Sequence, residues 1–274
     1  MKEKEVSDMP RGNRTGPHLL LTALLVTALT GSSFAHTLWL NVTDYRPSIG
    51  GQTKLYFGWG HRYPVDDFLA LDKLAEFILL EPGGNRRTLQ PNPGGFLATE
   101  VSFSKAGIYI TAAALKPGFY TMYVEKGKVR HRSASKEGIS GVIVSVYFEE
   151  YAKALIEVEA PQDSSYRQSV GHKLEIIPLE NPAQLRVGDF LAVKVLFEGK
   201  PCPFSSIYAT YAGFSTGEDY AYATTTGMDG VARIRILHHG PWLLKAESKQ
   251  PAPDDLRGKC NELLFQASLT FEAP

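Results

Sequence analysis

The sequence predicts an all-β protein, with two immunoglobulin-like β-sandwich domains in tandem after a cleaved signal peptide. Three observations support this fold class. Gly and Pro are frequent, at 25 and 17 of 274 residues, and Thr, Tyr, Val and Phe are well represented. Long amphipathic helical windows are scarce. Short runs of strand-forming residues recur at spacings of roughly ten residues, as expected for a sandwich.

The charge composition argues against a nucleic-acid partner. Lys and Arg total 29 residues and Asp and Glu also total 29, so the formal net charge is zero. No basic tract is long enough to follow a phosphate backbone. We therefore expect no nucleic-acid binding.

Residues 1–35 have the three parts of a secretory signal peptide. Basic Arg11 and Arg14 precede an apolar run at 19–29, and small residues lead to Ala35. The apolar run is shorter than the ~20 residues needed to span a bilayer, although an uncleaved anchor is the alternative. We predict cleavage after Ala35, a periplasmic location and no membrane span in the mature chain.

The two cysteines are Cys202 and Cys260. Export would place them in an oxidising compartment, where pairing is permitted. One disulfide near the C-terminal strand and two free buried thiols are both compatible with the sequence.

The predicted N-terminal domain covers residues 36–160. Turn clusters rich in Gly and Pro separate its strand candidates. A polar segment at 126–141 is expected to form an exposed loop or flap. Residues 142–148 fit a strand, whereas 149–155 contain helix formers and fit a short helix or turn as well. The predicted strands are 36–42, 53–61, 77–80, 96–103, 107–114 and 120–124.

A polar, Pro-containing linker is predicted at 161–171, followed by a C-terminal domain at 172–274. Seven short strand candidates in this second half match an immunoglobulin-like sandwich. They are 174–178, 190–197, 207–211, 220–226, 231–237, 242–247 and 263–271.

A series of motifs follows in order along the mature chain. The motifs are Ala35-His36-x-x-Trp39-Leu40, Phe57-x-x-Gly60-His61-x-x-Pro64, Leu174-Glu175-Ile176-Ile177-Pro178-x-x-Asn181-Pro182, Gly188-Asp189, Val195-Leu196-x-x-Gly199-Lys200-Pro201, Thr226-x-x-Asp229-Gly230 and Gly240-x-Trp242. This order of motifs resembles a bacterial family catalogued as domain of unknown function 4198. That family is often labelled the periplasmic component of a cobalt or nickel transport system. The resemblance thus implies nickel or cobalt as the ion and an inner-membrane metal transporter as the partner.

His36 and His61 are the two histidines that match this pattern, and they form the candidate metal site. Cleavage after Ala35 would give His36 a free α-amine, with a pKa near ~7.7–8.0, beside its imidazole. An antiparallel pairing of the first two strands would bring His61 to the same place. Nitrogen ligands suit nickel, cobalt, copper or zinc. Asp66 and Asp67 follow closely enough to bind the ion or to orient an imidazole.

Other polar and aromatic residues have simpler interpretations. His131 lies between two arginines, which would repel a cation, and His172, His238 and His239 fit surface or turn positions. Trp39 and Trp242 fit core positions, whereas Trp59, beside the Gly60-His61 pair, is expected to border a pocket.

The leading functional hypothesis is a periplasmic transition-metal-binding protein that serves metal uptake. A metal-free envelope module that binds a protein or a glycan is one alternative. A copper-dependent oxidative enzyme, with Tyr63 near the metal, is another. The sequence has no Gly-rich phosphate loop, zinc-protease helix motif or Gly-x-Ser-x-Gly elbow, so catalysis of those kinds is not expected.

Overall fold

A computed structural model describes residues 36–160 and 162–274, and His36–Pro274 forms one compact unit. The predicted signal peptide at 1–35 and Pro161 of the predicted linker lie outside the described residues. The prediction of an all-β chain is confirmed. Strands β1 to β17 are Thr37–Val42, Gln52–Gly60, Leu74–Leu80, Arg86–Thr88, Thr99–Ser102, Gly107–Leu115, Gly118–Glu125, Lys128–Arg132, Val142–Val158, Leu174–Pro178, Phe190–Phe197, Lys200–Pro201, Ser206–Tyr211, Tyr222–Thr225, Val231–Arg235, Gly240–Pro251 and Glu262–Ala273. Short 3-10 turns lie at Leu71–Lys73, Ser165–Arg167 and Pro182–Gln184. Within the part of the chain that the structure describes, no helix has the length and apolar character to cross a membrane.

A central ten-stranded sheet takes strands from both halves of the chain. Its order is β14-β13-β16-β17-β9-β6-β3-β4, with β7 also pairing with β9, and β8 with β7. The halves meet where β17 runs parallel to β9, in a register that extends from Glu262↔Val146 to Thr270↔Ala154. All other strand pairs in this sheet are antiparallel.

Two smaller sheets cover opposite faces of the central sheet. The three-stranded sheet has the order β1-β2-β5, and the four-stranded sheet joins β10, β11, β12 and β15. Side chains alternate along a strand, so Phe77 and Leu79 of β3 pack in the core of the three-stranded sheet, whereas Ile78 and Leu80 pack in the other core. Two sandwiches are present, and they share their middle layer. The sequence predicted tandem domains without this sharing. A strand with two buried faces has a continuous apolar run, and such a run gives no sign that two sandwiches pack on it.

Two segments differ from the predictions in an informative way. Residues 142–158 form one long strand, β9, and the helix-forming stretch within it pairs with β6 and β17 on its two edges. Tertiary pairing therefore overrides local helix propensity there. The prediction of a loop at 126–141 was wrong for residues 128–132, which form β8. A two-residue turn at Lys126 and Gly127, both with positive φ, closes the β7–β8 hairpin.

The two cysteines remain unpaired. Cys202 and Cys260 are buried free thiols, so they form no disulfide bond in this structure. Burial raises the pKa of both thiols, which disfavours the reactive thiolate.

A buried ion pair joins the central sheet to the four-stranded sheet. Lys153 Nζ of β9 lies 2.8 Å from Glu175 Oε1 of β10, and the two side chains are 2% and 1% exposed. Glu175 also accepts hydrogen bonds from the Val170 amide and the Ser169 hydroxyl. Through these two hydrogen bonds, the Glu175 carboxylate holds the segment that precedes β10 in place.

A second buried polar group lies on the opposite face of the central sheet. Glu150 of β9 is paired in register with Gln266 of β17, and both are almost completely buried. Glu150 Oε2 and Gln266 Oε1 have no hydrogen-bond partner within the described residues. Burial raises the pKa of Glu150 to about 8, even though Lys245 and Lys73 act to lower it. The carboxyl group is therefore protonated near neutral pH.

Candidate metal centre

The register of β1 and β2 brings His36 and His61 together. The strands pair antiparallel from Val42↔Leu55 to Thr37↔Gly60, so the next facing pair is His36 and His61. Residues that face each other across an antiparallel pair project side chains on the same side. The two imidazole rings lie with centroids 4.8 Å apart and planes at 85°. The predicted antiparallel arrangement of the first two strands is confirmed.

Trp59 forms one wall beside His36. It lies two residues before His61 on the same face of β2, and its ring centroid is 4.1 Å from that of His36. The ammonium group of Lys73 lies 3.8 Å from the centroid of the indole ring, a cation–π contact. Trp59 therefore contacts both the His36 imidazole and the Lys73 ammonium. No sequence pattern indicated Lys73 as a neighbour of this site.

A nitrogen of His36 is buried without a partner. His36 Nδ1 has no hydrogen-bond partner in the part of the chain that the structure describes. Buried polar atoms are nearly always satisfied, so an orphaned one needs an explanation such as a missing ion or water. An imidazole nitrogen is a good ligand for a transition metal. The residues therefore fit a metal ion on this atom.

The electrostatics of His36 favour a neutral ring. Burial, and then the neighbouring His61, lower the pKa of the His36 imidazole, whereas Asp67 and Asp66 act to raise it. A metal binds the deprotonated ring, so a lowered pKa reduces the competition from protons near neutral pH.

Asp66 organises the loop that follows β2. Its Oδ2 accepts hydrogen bonds from the amides of His61, at 2.7 Å, and Arg62, at 3.2 Å, and its Oδ1 accepts from Arg62 Nε at 2.8 Å. Burial alone would raise the pKa of Asp66, but these donors lower it. Oδ2 thus holds the His61 backbone, and Oδ1 binds the Arg62 side chain. These bonds reach backbone amides and an arginine, so the predicted contact of Asp66 with an ion or an imidazole stays a prediction.

Asp67 lies on the opposite side of the same loop. Its amide donates to the Trp59 carbonyl at 3.0 Å, and its Oδ1 accepts from the Phe68 amide at 2.7 Å. The residue is exposed. Its charge acts on the pKa of His36, so the carboxylate contributes a negative potential to the site.

The backbone around the site leaves room for large side chains. Trp39 lies across from Gly58, where an added Cβ would come within 2.0 Å of Trp39 Nε1. The indole donates a hydrogen bond to the Pro64 carbonyl at 2.9 Å, and Asn41 Nδ2 donates to the same oxygen at 3.0 Å. The loop after His61 is thereby tied to β1.

We expect Gly60→Ala to destabilise the protein by about 1–3 kcal/mol, the usual cost of overpacking. An added Cβ would lie 2.4 Å from Asp66 Oδ2, and Gly60 has φ +143°. Urea unfolding measures the change. Gly50→Ala is the control, because Gly50 also has positive φ but nothing within 4 Å of an added Cβ. Equal losses in the two variants would show that contact with Asp66 is unimportant.

Tyr63 is buried against Trp39 and Leu243, and it lines the cleft that His61 borders. The other predicted histidines lie elsewhere. His131 is exposed on β8 beside Tyr120, and His238 stacks on Tyr211. Among residues 36–160 and 162–274, no group of three or more His, Cys, Asp or Glu side chains is arranged to hold a metal ion. A site here must rest on the two histidines and ligands other than these side chains.

His61 also borders a cleft that takes part of its lining from the second half of the chain. Thr37, Asp219 and Tyr220 line this cleft, whereas His36 does not. Asp219 and Tyr220 belong to the loop between β13 and β14. Sequence analysis missed this loop, because no local pattern indicates that it approaches a segment more than 150 residues earlier.

Comparison with solved structures finds other β-sandwich chains at low similarity. The D0-D1 domain of Intimin is 12% identical, with 85% of this chain and 96% of that chain covered and a TM-score of 0.21. The FN1-FN3 domains of chicken CNTN1 are 7% identical, with 86% and 98% covered and a TM-score of 0.23. TM-scores this low carry no argument about function.

Comparison with protein sequences gives a more definite result. None of the curated proteins matches the chain. A family described as "Domain of unknown function (DUF4198)" matches residues 33–250. This region includes both histidines of the candidate site and most of the central sheet. Since the match spans most of the sequence, the chain belongs to the DUF4198 family.

Proposed function

We propose that this protein is a periplasmic transition-metal-binding protein, with nickel or cobalt as its cargo and copper or zinc as alternative ions. It would hold the ion through His36 and His61 and serve an inner-membrane metal transporter. The observation that carries the proposal is the facing pair of imidazoles, with a buried and unpartnered Nδ1 on His36.

The ligand set would consist of nitrogen atoms. The two imidazoles supply two ligands, and the α-amine of His36 supplies a third if the chain is cut after Ala35. Such a set favours late first-row transition metals over calcium or magnesium. It needs only two metal-binding side chains, so it is compatible with the absence of a larger cluster in the described residues.

The surroundings support reversible binding. His36 and His61 are each half-buried at the end of the β1–β2 ladder, so an ion could enter and leave from one side. Asp66 would hold the His61 backbone in place through its hydrogen bonds. Asp67 and Asp66 would add negative potential that attracts a cation.

The test is a calorimetric titration of the processed protein with Ni²⁺, Co²⁺, Cu²⁺ and Zn²⁺. We expect one ion per chain. One extra residue before His36 would keep both imidazoles but convert the amine to an amide, and it should weaken binding by about 100-fold, since even second-shell changes cost ~10–100-fold. His61→Ala should weaken binding similarly. His238→Ala, at an exposed histidine away from the site, is the matched control.

Three outcomes would contradict the proposal. Failure of the native N-terminus to bind any of the four ions would favour a metal-free envelope module. Binding that the extension and His61→Ala leave unchanged would place the ion elsewhere. Turnover of a reductant by the copper-loaded protein would favour an oxidative enzyme over a carrier.

A further inference from the structure

A second cleft opens between the central sheet and the segment that precedes β10. Its volume is about 460 Å³, within the range of small-molecule sites. The residues that line it include Glu76, Tyr151, His172, Lys173 and Glu198. None of these residues belongs to the candidate metal centre.

The floor of the cleft is a stacked pair of rings. His172 lies 4.8 Å from Tyr151, with 29° between the planes. The prediction of a surface histidine was wrong, because His172 is only 8% exposed. Its Nε2 is 3.2 Å from Glu76 Oε1. The contact with His172 lowers the pKa of Glu76, which is therefore ionised at neutral pH.

The positive charge of Lys173 is largely neutralised by one carboxylate. Lys173 Nζ is 3.2 Å from Glu149 Oε1, and the Tyr151 hydroxyl donates to the other oxygen of Glu149. Glu198 Oε1 is farther from the ammonium, at 4.0 Å. The carboxylates of Glu76 and Glu198, with side chains 41% and 63% exposed, are left to face the opening.

We propose that this cleft binds a small organic cation through an ammonium or guanidinium group. Two carboxylates and one lysine line the cleft, and Glu149 already pairs with that lysine, so the balance of charge is negative and disfavours an anionic ligand. Glu76 and Glu198 can accept charge-assisted hydrogen bonds from the cation.

The rim of the cleft is shaped by glycines rather than closed by side chains. Gly171 and Gly199 both have positive φ, and nothing lies within 4 Å of a Cβ built on either. Neither glycine places a side chain in the opening. The cleft therefore stays open to a ligand of the size of a diamine.

The test measures the binding of putrescine and agmatine to the processed protein by calorimetry and by ligand-observed NMR. We expect saturable binding that weakens as salt is added. 1,4-Butanediol, the neutral counterpart of putrescine, should not bind. Glu198→Gln and Glu76→Gln should each weaken binding by about five- to tenfold, the loss of one charge-assisted hydrogen bond near the surface.

Glu100→Gln is the matched control, because Glu100 is an exposed glutamate on β5. The proposal is overturned if neither amine binds at millimolar concentration, or if butanediol binds equally well. Equal loss in Glu100→Gln would also overturn it, since it would reduce the effect to general surface charge. Binding should persist in His61→Ala, which separates this cleft from the metal site.

Discussion

Lys153→Met is expected to lower the free energy of unfolding by about 3–5 kcal/mol, the usual cost of removing one partner from a buried ion pair. The change leaves the Glu175 carboxylate charged and enclosed, with its side chain 1% exposed. Methionine keeps the length and apolar stem of lysine, so the loss reports the charge rather than a cavity. Urea unfolding at pH 7 measures the effect.

Two further variants show whether the effect has this cause. Lys153→Met combined with Glu175→Gln should recover a large part of the loss, because no buried charge remains and the glutamine oxygen can still accept from the Val170 amide. Arg257→Met removes a partner from the Arg257–Asp254 pair, whose side chains are 73% and 87% exposed. That control should change stability by less than about 1 kcal/mol. A small loss for Lys153→Met, similar to this control, would contradict the expectation.

Stability is expected to fall as the pH rises from about 4.5 to about 8, because of Glu150. In the unfolded chain this group loses its proton near the ordinary value of 4.5, whereas burial raises its pKa in the fold to about 8. The folded state therefore binds one more proton between these values, and unfolding becomes easier with each unit of pH. The total effect is on the order of 5 kcal/mol. Urea midpoints measured from pH 4.5 to 9 test it.

Glu150→Gln is the matched variant for this pH dependence. It keeps the shape of the protonated acid but cannot ionise, so this part of the pH profile should flatten. At pH 5 the variant should match the wild type, and above pH 8 it should be the more stable protein. Profiles that stay parallel over the whole range would show that Glu150 does not control the decline.

Local sequence patterns were sufficient to locate most strands. The stretches at 174–178 and 190–197 are bounded by turn residues, and the structure places β10 and β11 at the same positions. The order of the strands within the sheets could not be predicted from such local patterns. Nothing in the residues of β9 or β17 specifies that they pair in parallel, because that choice depends on how both cores close around them.

In the candidate site, too, the local contacts could be predicted from the sequence and the long-range contacts could not. Antiparallel pairing of two neighbouring strands is a local property, so the approach of His36 to His61 could be predicted. The cation on Trp59 comes from Lys73, and the cleft that His61 borders is lined in part by Asp219. These contacts depend on tertiary packing and have no signature in the sequence. For Asp66, proximity was predictable, but the use of both its oxygens by backbone and arginine donors was not.

The parallel pairing of β17 with β9 has a consequence for the folding kinetics. Each contact in that ladder closes a loop of more than 100 residues, which slows folding relative to a chain of local hairpins. Until β17 docks, β9 presents an open edge with a long row of unpaired backbone groups, an arrangement prone to intermolecular association. Newly synthesised chains therefore need protection from aggregation until residues 262–273 have joined the sheet.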